Sequence, residues 1–207
     1  MRNLLWIGLV LILFPSWAGA DMEQYLKFNA GPNNPYDHEF KYLPGYCPCW
    51  SAKNRERFKS DAEKWKRVFK SKGERGRDWV HLHHYCFGLV AMSRLQRGLG
   101  NRNHLLKRAE GEFGYMIKHA SPKFVLMPEI HTKMGLVKLL QRKDAQAVKH
   151  FIQAIKLNNR YVTAYKYLID YYLNRNEKGK ALQVGTLGLQ HNPNSEYLKD
   201  TVARLSR

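Results

Sequence analysis

The sequence predicts an all-α protein of stacked antiparallel helical hairpins, a helical solenoid, carried behind an extended N-terminal arm. Three observations predict it. Apolar residues recur at helical spacing from Phe58 to Leu205. From Pro128 onward the chain repeats itself, and aligning Ala147 with Ala181 sets a period of 34 residues. Ahead of the helices, Pro32, Pro35, Pro44 and Pro48 with Gly31 and Gly45 work against regular structure over 21–50.

The first element, 1–20, reads as a secretory signal peptide. Arg2 gives a positive start, Leu4 to Phe14 is a short apolar run, Pro15 breaks it, and Ala18-Gly19-Ala20 offers the small residues a signal peptidase needs. The run falls short of the roughly 20 apolar residues that span a bilayer. No Cys follows Ala20 for lipid attachment. The expectation is therefore an exported chain, periplasmic or secreted, with no transmembrane span after cleavage.

Residues 21–50 form the arm. Tyr25, Phe28, Tyr36, Phe40, Tyr42, Tyr46 and Trp50 are interleaved with its prolines and glycines. Such rings favour burial, so the arm is expected to lie along the helices. Residues 51–127 hold the N-terminal helices. Ser51 reads as a cap for a helix with Phe58, Ala62, Trp65, Val68 and Phe69 on one face, ended by Gly73 and Gly76. Trp79 to Arg97 is the next helix, broken by Gly98 and Gly100. Asn101 or Asn103 caps a third, which runs to about His119 before Ser121-Pro122 stops it.

Residues 128–195 contain two repeat units. Met134, Gly135, Ala147, Phe151, Ala154, Ile155 and Leu157 mark the first, Pro128 to Tyr161. Tyr165, Leu168, Ile169, Tyr172, Ala181, Gly185, Gly188, Leu189 and then Pro193 mark the second, Val162 to Ser195. Small residues at these positions let antiparallel helices approach closely, and the aromatics fill the gaps between hairpins. Over this stretch the chain resembles the tetratricopeptide repeat family. It departs from the family pattern at Lys138, where a Tyr is usual, at Asn159, where a Pro is usual, and at Gly185, where a large apolar residue is usual. The hairpin from Trp79 to His119 resembles a degenerate earlier unit through Gly88, Ala109, Phe113 and Met116. Residues 196–207 form a capping helix with Tyr197, Leu198, Val202 and Leu205 inward.

The resemblance implies binding rather than catalysis. The first helix of each unit would face a concave groove, lined by Glu129, Thr132, Lys133 and Leu136 and then by Thr163, Lys166, Tyr167, Asp170 and Asn174. Lys133 and Lys166 would suit an acidic group on a protein or peptide partner. The charge points the same way: 35 Lys and Arg against 17 Asp and Glu give a net +18. Such a chain attracts anionic surroundings at long range. For an exported protein that means an acidic protein, an anionic polysaccharide or a lipid surface before nucleic acid.

Cys47, Cys49 and Cys86 face an oxidising compartment, so one disulfide is expected, joining Cys86 to either Cys47 or Cys49. No C-x-x-C is present. The competing reading is a metal-binding or redox-linked envelope protein. His81, His83, His84 and Cys86, with Cys47 and Cys49, supply the imidazoles and thiolates that hold zinc or copper. The spacing matches no standard finger, and no one helix face offers three ligands. No cofactor is otherwise expected. A phosphate-cradling glycine loop, G-x-S-x-G and H-E-x-x-H are all missing, so no enzymatic activity is expected.

Overall fold

A computed structural model of the chain describes residues 39, 43–47, 59–71 and 78–207. The signal stretch 1–20, most of the arm, Cys49 and the Ser51 cap lie outside them. Among the described residues eight α-helices follow in order: α1 (Lys59–Ser71), α2 (Asp78–Gln96), α3 (Arg102–His119), α4 (Met127–Leu140), α5 (Asp144–Leu157), α6 (Val162–Leu173), α7 (Lys178–His191) and α8 (Glu196–Leu205). There is no strand among the described residues. From α2 onward each helix packs on the next, and α4 also packs on α6. The chain is thus a row of antiparallel helical hairpins, α2–α3, α4–α5 and α6–α7, closed by α8.

Local chemistry sets the helix ends. Asn101 resolves the choice of cap for α3, its Oδ1 accepting from the His104 N–H at 3.0 Å. The Ser195 hydroxyl accepts from the Leu198 N–H at 3.4 Å and starts α8. Pro128 sits in the first turn of α4, where a missing N–H costs nothing. Asp78, 3 % exposed at the start of α2, accepts from the Ser121 N–H at 2.6 Å and ties α2 to the end of the first hairpin.

All three hairpins turn in the same way. The second and third turn at Arg142 (φ 61°) and Asn176 (φ 59°), which lie one 34-residue period apart. After each, a backbone N–H reaches five residues back, Lys143 to the Lys138 carbonyl at 2.8 Å and Glu177 to the Tyr172 carbonyl at 2.9 Å. The first hairpin repeats the motif at Gly98 (φ 67°), with Leu99 donating to the Arg94 carbonyl at 2.8 Å. This left-handed cap satisfies the last carbonyls of each first helix.

The packing inside the hairpins repeats as well. A Cβ on Gly135 would stand 2.5 Å from the Phe151 ring, and one on Gly88 would stand 2.4 Å from the Phe113 ring. Both aromatics are fully buried. The two hairpins therefore close on the same glycine–phenylalanine contact, although the loop and helices of the first are longer.

Helix α4 sits at the centre of the row, between α3, α5 and α6. Ile130, His131, Thr132, Met134, Gly135, Leu136, Val137 and Lys138 are all buried. At the other end of the row, Tyr46 meets Trp65 and Phe69 edge-on, with ring centroids at 5.5 and 5.3 Å. Phe69 in turn packs against Trp79 and Phe124. Residues 43–47 thus fill the angle between α1 and α2. Glu39, 3 % exposed, accepts from Arg94 Nε at 2.9 and 3.1 Å, which removes the cost of burying a lone charge. Cys47 and Cys86 lie at disulfide distance, Cα to Cα 5.4 Å.

Candidate functional site

The first helices of the second and third hairpins, α4 and α6, carry the residues expected to line a groove. Their fates differ. Thr163, Lys166, Tyr167 and Asp170 are half-buried and Asn174 is exposed at the end of α6. Lys133 is half-buried. Leu136, by contrast, is 7 % exposed and belongs to the main core. Thr132 is 1 % exposed and its hydroxyl donates to the Pro128 carbonyl at 2.9 Å. Neither offers surface to a ligand, since α4 is packed among α3, α5 and α6.

Around α6 the structure gathers a polar and aromatic cluster. Lys166 Nζ lies 5.4 Å from the centre of the Tyr197 ring. Burial raises the Asp170 carboxyl above the usual carboxylate range, opposed by Lys166 and Arg204. Tyr197 is pushed up to about 12, by burial first and then by Asp170. Tyr167 stacks on Phe151, centroids 6.0 Å apart. The sequence placed Tyr197 in a buried stripe and gave no sign that Arg204 shares a field with Asp170.

Glu129 occupies the first turn of α4, half-buried. Its carboxylate adds to the burial that raises four phenols: Tyr46, Tyr85, Tyr161 and Tyr167. These come from the 43–47 segment, α2, the α5–α6 turn and α6. The Tyr85 ring is fully buried, with Glu129 and the Tyr46 phenol beside its hydroxyl. Tyr46, Tyr85 and Tyr161 went unnoticed in the sequence as site residues, since they lie 83, 44 and 32 positions from Glu129 or on the far side of it.

The histidine and cysteine cluster is spent on other bonds. Cys86 is paired with Cys47. His83 Nδ1 donates to the Val80 carbonyl at 2.9 Å, and burial followed by the neighbouring His84 lowers its pKa. His84 Nδ1 lies 2.7 Å from Glu112 and its ring stacks on Tyr115 at 3.7 Å. His81 packs near Tyr115 and His119, centroids 5.6 and 6.0 Å away. Among the described residues no three His, Cys, Asp or Glu side chains converge on a point that could hold a metal.

Two of the repeat's departures have partners. Lys138 is buried and its Nζ pairs with Glu110 of α3, to which Gln141 also donates at 2.6 Å. The bond from Lys138 holds the Glu110 carboxyl below its ordinary range. The Asn159 carbonyl accepts from the Tyr165 hydroxyl at 3.1 Å and from Asn192 Nδ2 at 3.2 Å, so backbone supplies the turn anchor that proline would stiffen.

No protein-family model matches the chain, and no curated protein matches it in sequence. Fold and site together define an all-helical protein of stacked hairpins with no helix, among the described residues, long and apolar enough to cross a membrane.

Proposed function

We propose that this chain is an exported, tetratricopeptide-type interaction module that acts as scaffold or adaptor in a cell-envelope assembly and carries out no catalysis. One observation carries the reading: the same left-handed turn closes three successive hairpins, at Gly98, Arg142 and Asn176. A chain built by repetition exposes a continuous face made from successive first helices, and such faces serve to hold other molecules. Export is supported by the signal-type N-terminus and by a cysteine pair that suits an oxidising compartment. The partner is a protein or peptide segment laid along α4, α6 and α8, with no metal or cofactor required.

Co-purification from the native envelope tests it. Tagged wild-type protein should retain a defined partner, and a variant carrying Lys166→Ala, Tyr167→Ala and Asn174→Ala should lose it while keeping its helical content. An unchanged set of captured proteins would sink the groove assignment. Capture that vanishes in moderate salt, yet is indifferent to these substitutions, would instead favour charge-driven adhesion to anionic polysaccharide or lipid.

A further inference from the structure

Between the first and second hairpins, at the end where their helices turn, lies an open cleft of about 470 Å³. That volume is in the range of small-molecule sites. Arg102 and Asn103 at the start of α3 line it together with Arg142 and Lys143 of the α4–α5 turn, and Leu106 and Leu140 add an apolar wall. The three cationic side chains are exposed. Arg102 Nη2 donates to the Leu140 carbonyl at 3.1 Å, which ties the two hairpins together. A guanidinium carries five N–H donors, so this bond leaves most of them for a ligand. Glu110, which Lys143 approaches at 3.8 Å, is already held by Lys138 and by Gln141 at 2.6 Å. The next junction of the row is built differently. One 34-residue period on, Gln141 and Lys143 are replaced by Arg175 and Glu177, and the preceding helix begins with Asp144 instead of Arg102. Arg175 there bonds Asp144 at 2.7 Å and stands 3.9 Å from Glu177, so opposite charges close the junction.

We propose that the cleft formed by Arg102, Asn103, Arg142 and Lys143 binds a phosphate group, carried by a small molecule or a lipid head group. Three cations gathered on one cleft repel each other, and an anion between them turns that cost into attraction. Two guanidinium forks and an ammonium match the oxygens and double charge of a phosphate monoester better than those of a carboxylate. The remaining volume, walled by Leu106 and Leu140, takes a glycerol- or sugar-sized body. The backbone of Arg142 supports the assignment. It holds a long side chain in the left-handed region (φ 61°), where the first hairpin uses Gly98. A strained residue kept where glycine serves better points to a use for its side chain. The cleft is separate from the α6 residues given to a protein partner, so it stands or falls apart from the module reading.

Glycerol 3-phosphate serves as the probe, with glycerol as control. Both are titrated into the whole protein at about 0.15 M salt, where the Debye length is about 8 Å and distant charges are screened. Backbone amide shifts at Arg102, Asn103 and Arg142 report binding. The phosphate probe is expected to shift them saturably and glycerol is not. Arg142→Gly should weaken the probe roughly tenfold, in line with loss of a charge-assisted bond. That variant relieves the strained turn, so the loss would not come from unfolding. Lys178→Ala removes the same charge from the third hairpin and should weaken the probe less than about twofold. Absence of saturable shifts, or equal weakening by the two variants, would overturn the proposal. Where the probe binds, phosphatidylcholine vesicles carrying phosphatidic acid separate the two carriers. Sedimentation with these vesicles that Arg142→Gly weakens supports a lipid head group; sedimentation that is absent, or unchanged in the variant, supports a free phosphorylated molecule.

Discussion

His131 of α4 and His150 of α5 share a hydrogen bond, Nδ1 to Nδ1 at 3.0 Å, inside the second hairpin. One nitrogen must donate and the other accept, so the contact survives only while at least one ring is unprotonated. His131 is 8 % exposed. Burial, then the neighbouring His150, lowers it to about 4. His150 is lowered by burial and by Lys138. The unfolded chain binds its histidine proton near pH 6.5, whereas folded His131 resists until about pH 4. Between those values the unfolded state holds the extra proton, so stability falls as the pH drops through this window and is fully present above it. One proton over that interval amounts to at most about 3 kcal/mol, and partial solvent screening brings the expectation to about 1–2 kcal/mol. Urea unfolding of wild type and His131→Gln at several pH values isolates the effect, because every other titrating group is common to both proteins. The wild-type loss between pH 6.5 and 4 should exceed the variant's by that amount. Parallel pH profiles, or a His131 titration by NMR at or above 6.5, would refute the assignment.

Three further outcomes follow from the packing. Cys86→Ser removes a bridge between positions 39 residues apart and should cost about 2–4 kcal/mol by loop-closure entropy, read from urea midpoints; three alkylatable thiols in the unreduced wild type would contradict the pairing. Gly135→Ala and Gly88→Ala each drive a methyl into a buried phenylalanine ring and should destabilise by about 1–3 kcal/mol, whereas Gly179→Ala, with open space around it, should not. Arg142→Gly relieves a left-handed side chain and should stabilise by roughly 0.5–1 kcal/mol in thermal or urea unfolding, with a smaller gain at Asn176→Gly because Asn tolerates that region better.

Much of the scaffold was legible because it is local. Helix periodicity, the Asn101 and Ser195 caps, and the 34-residue period depend on residues within a few turns of each other, and the described helices fall where those signals lie. The first hairpin needed the structure. Its extra residues hide the register in sequence, yet Gly88 meets Phe113 just as Gly135 meets Phe151. The site was less legible still. Groove positions counted from one unit assume an open face, and on α4 that face is closed at Thr132 and Leu136 by its neighbours. The partners that decide the chemistry are distant: Tyr46 and Tyr85 around Glu129, Glu110 for Lys138, and His150 for His131.

The sequence by itself determined an all-helical chain, its period, its turns and its excess of positive charge, since each is a property of composition or of short-range spacing. Only the tertiary structure decided which of the two arm cysteines meets Cys86 and which first-helix residues stay accessible. Those outcomes depend on how whole helices stack, and the angle and depth of stacking are set by buried contacts between residues far apart in the chain.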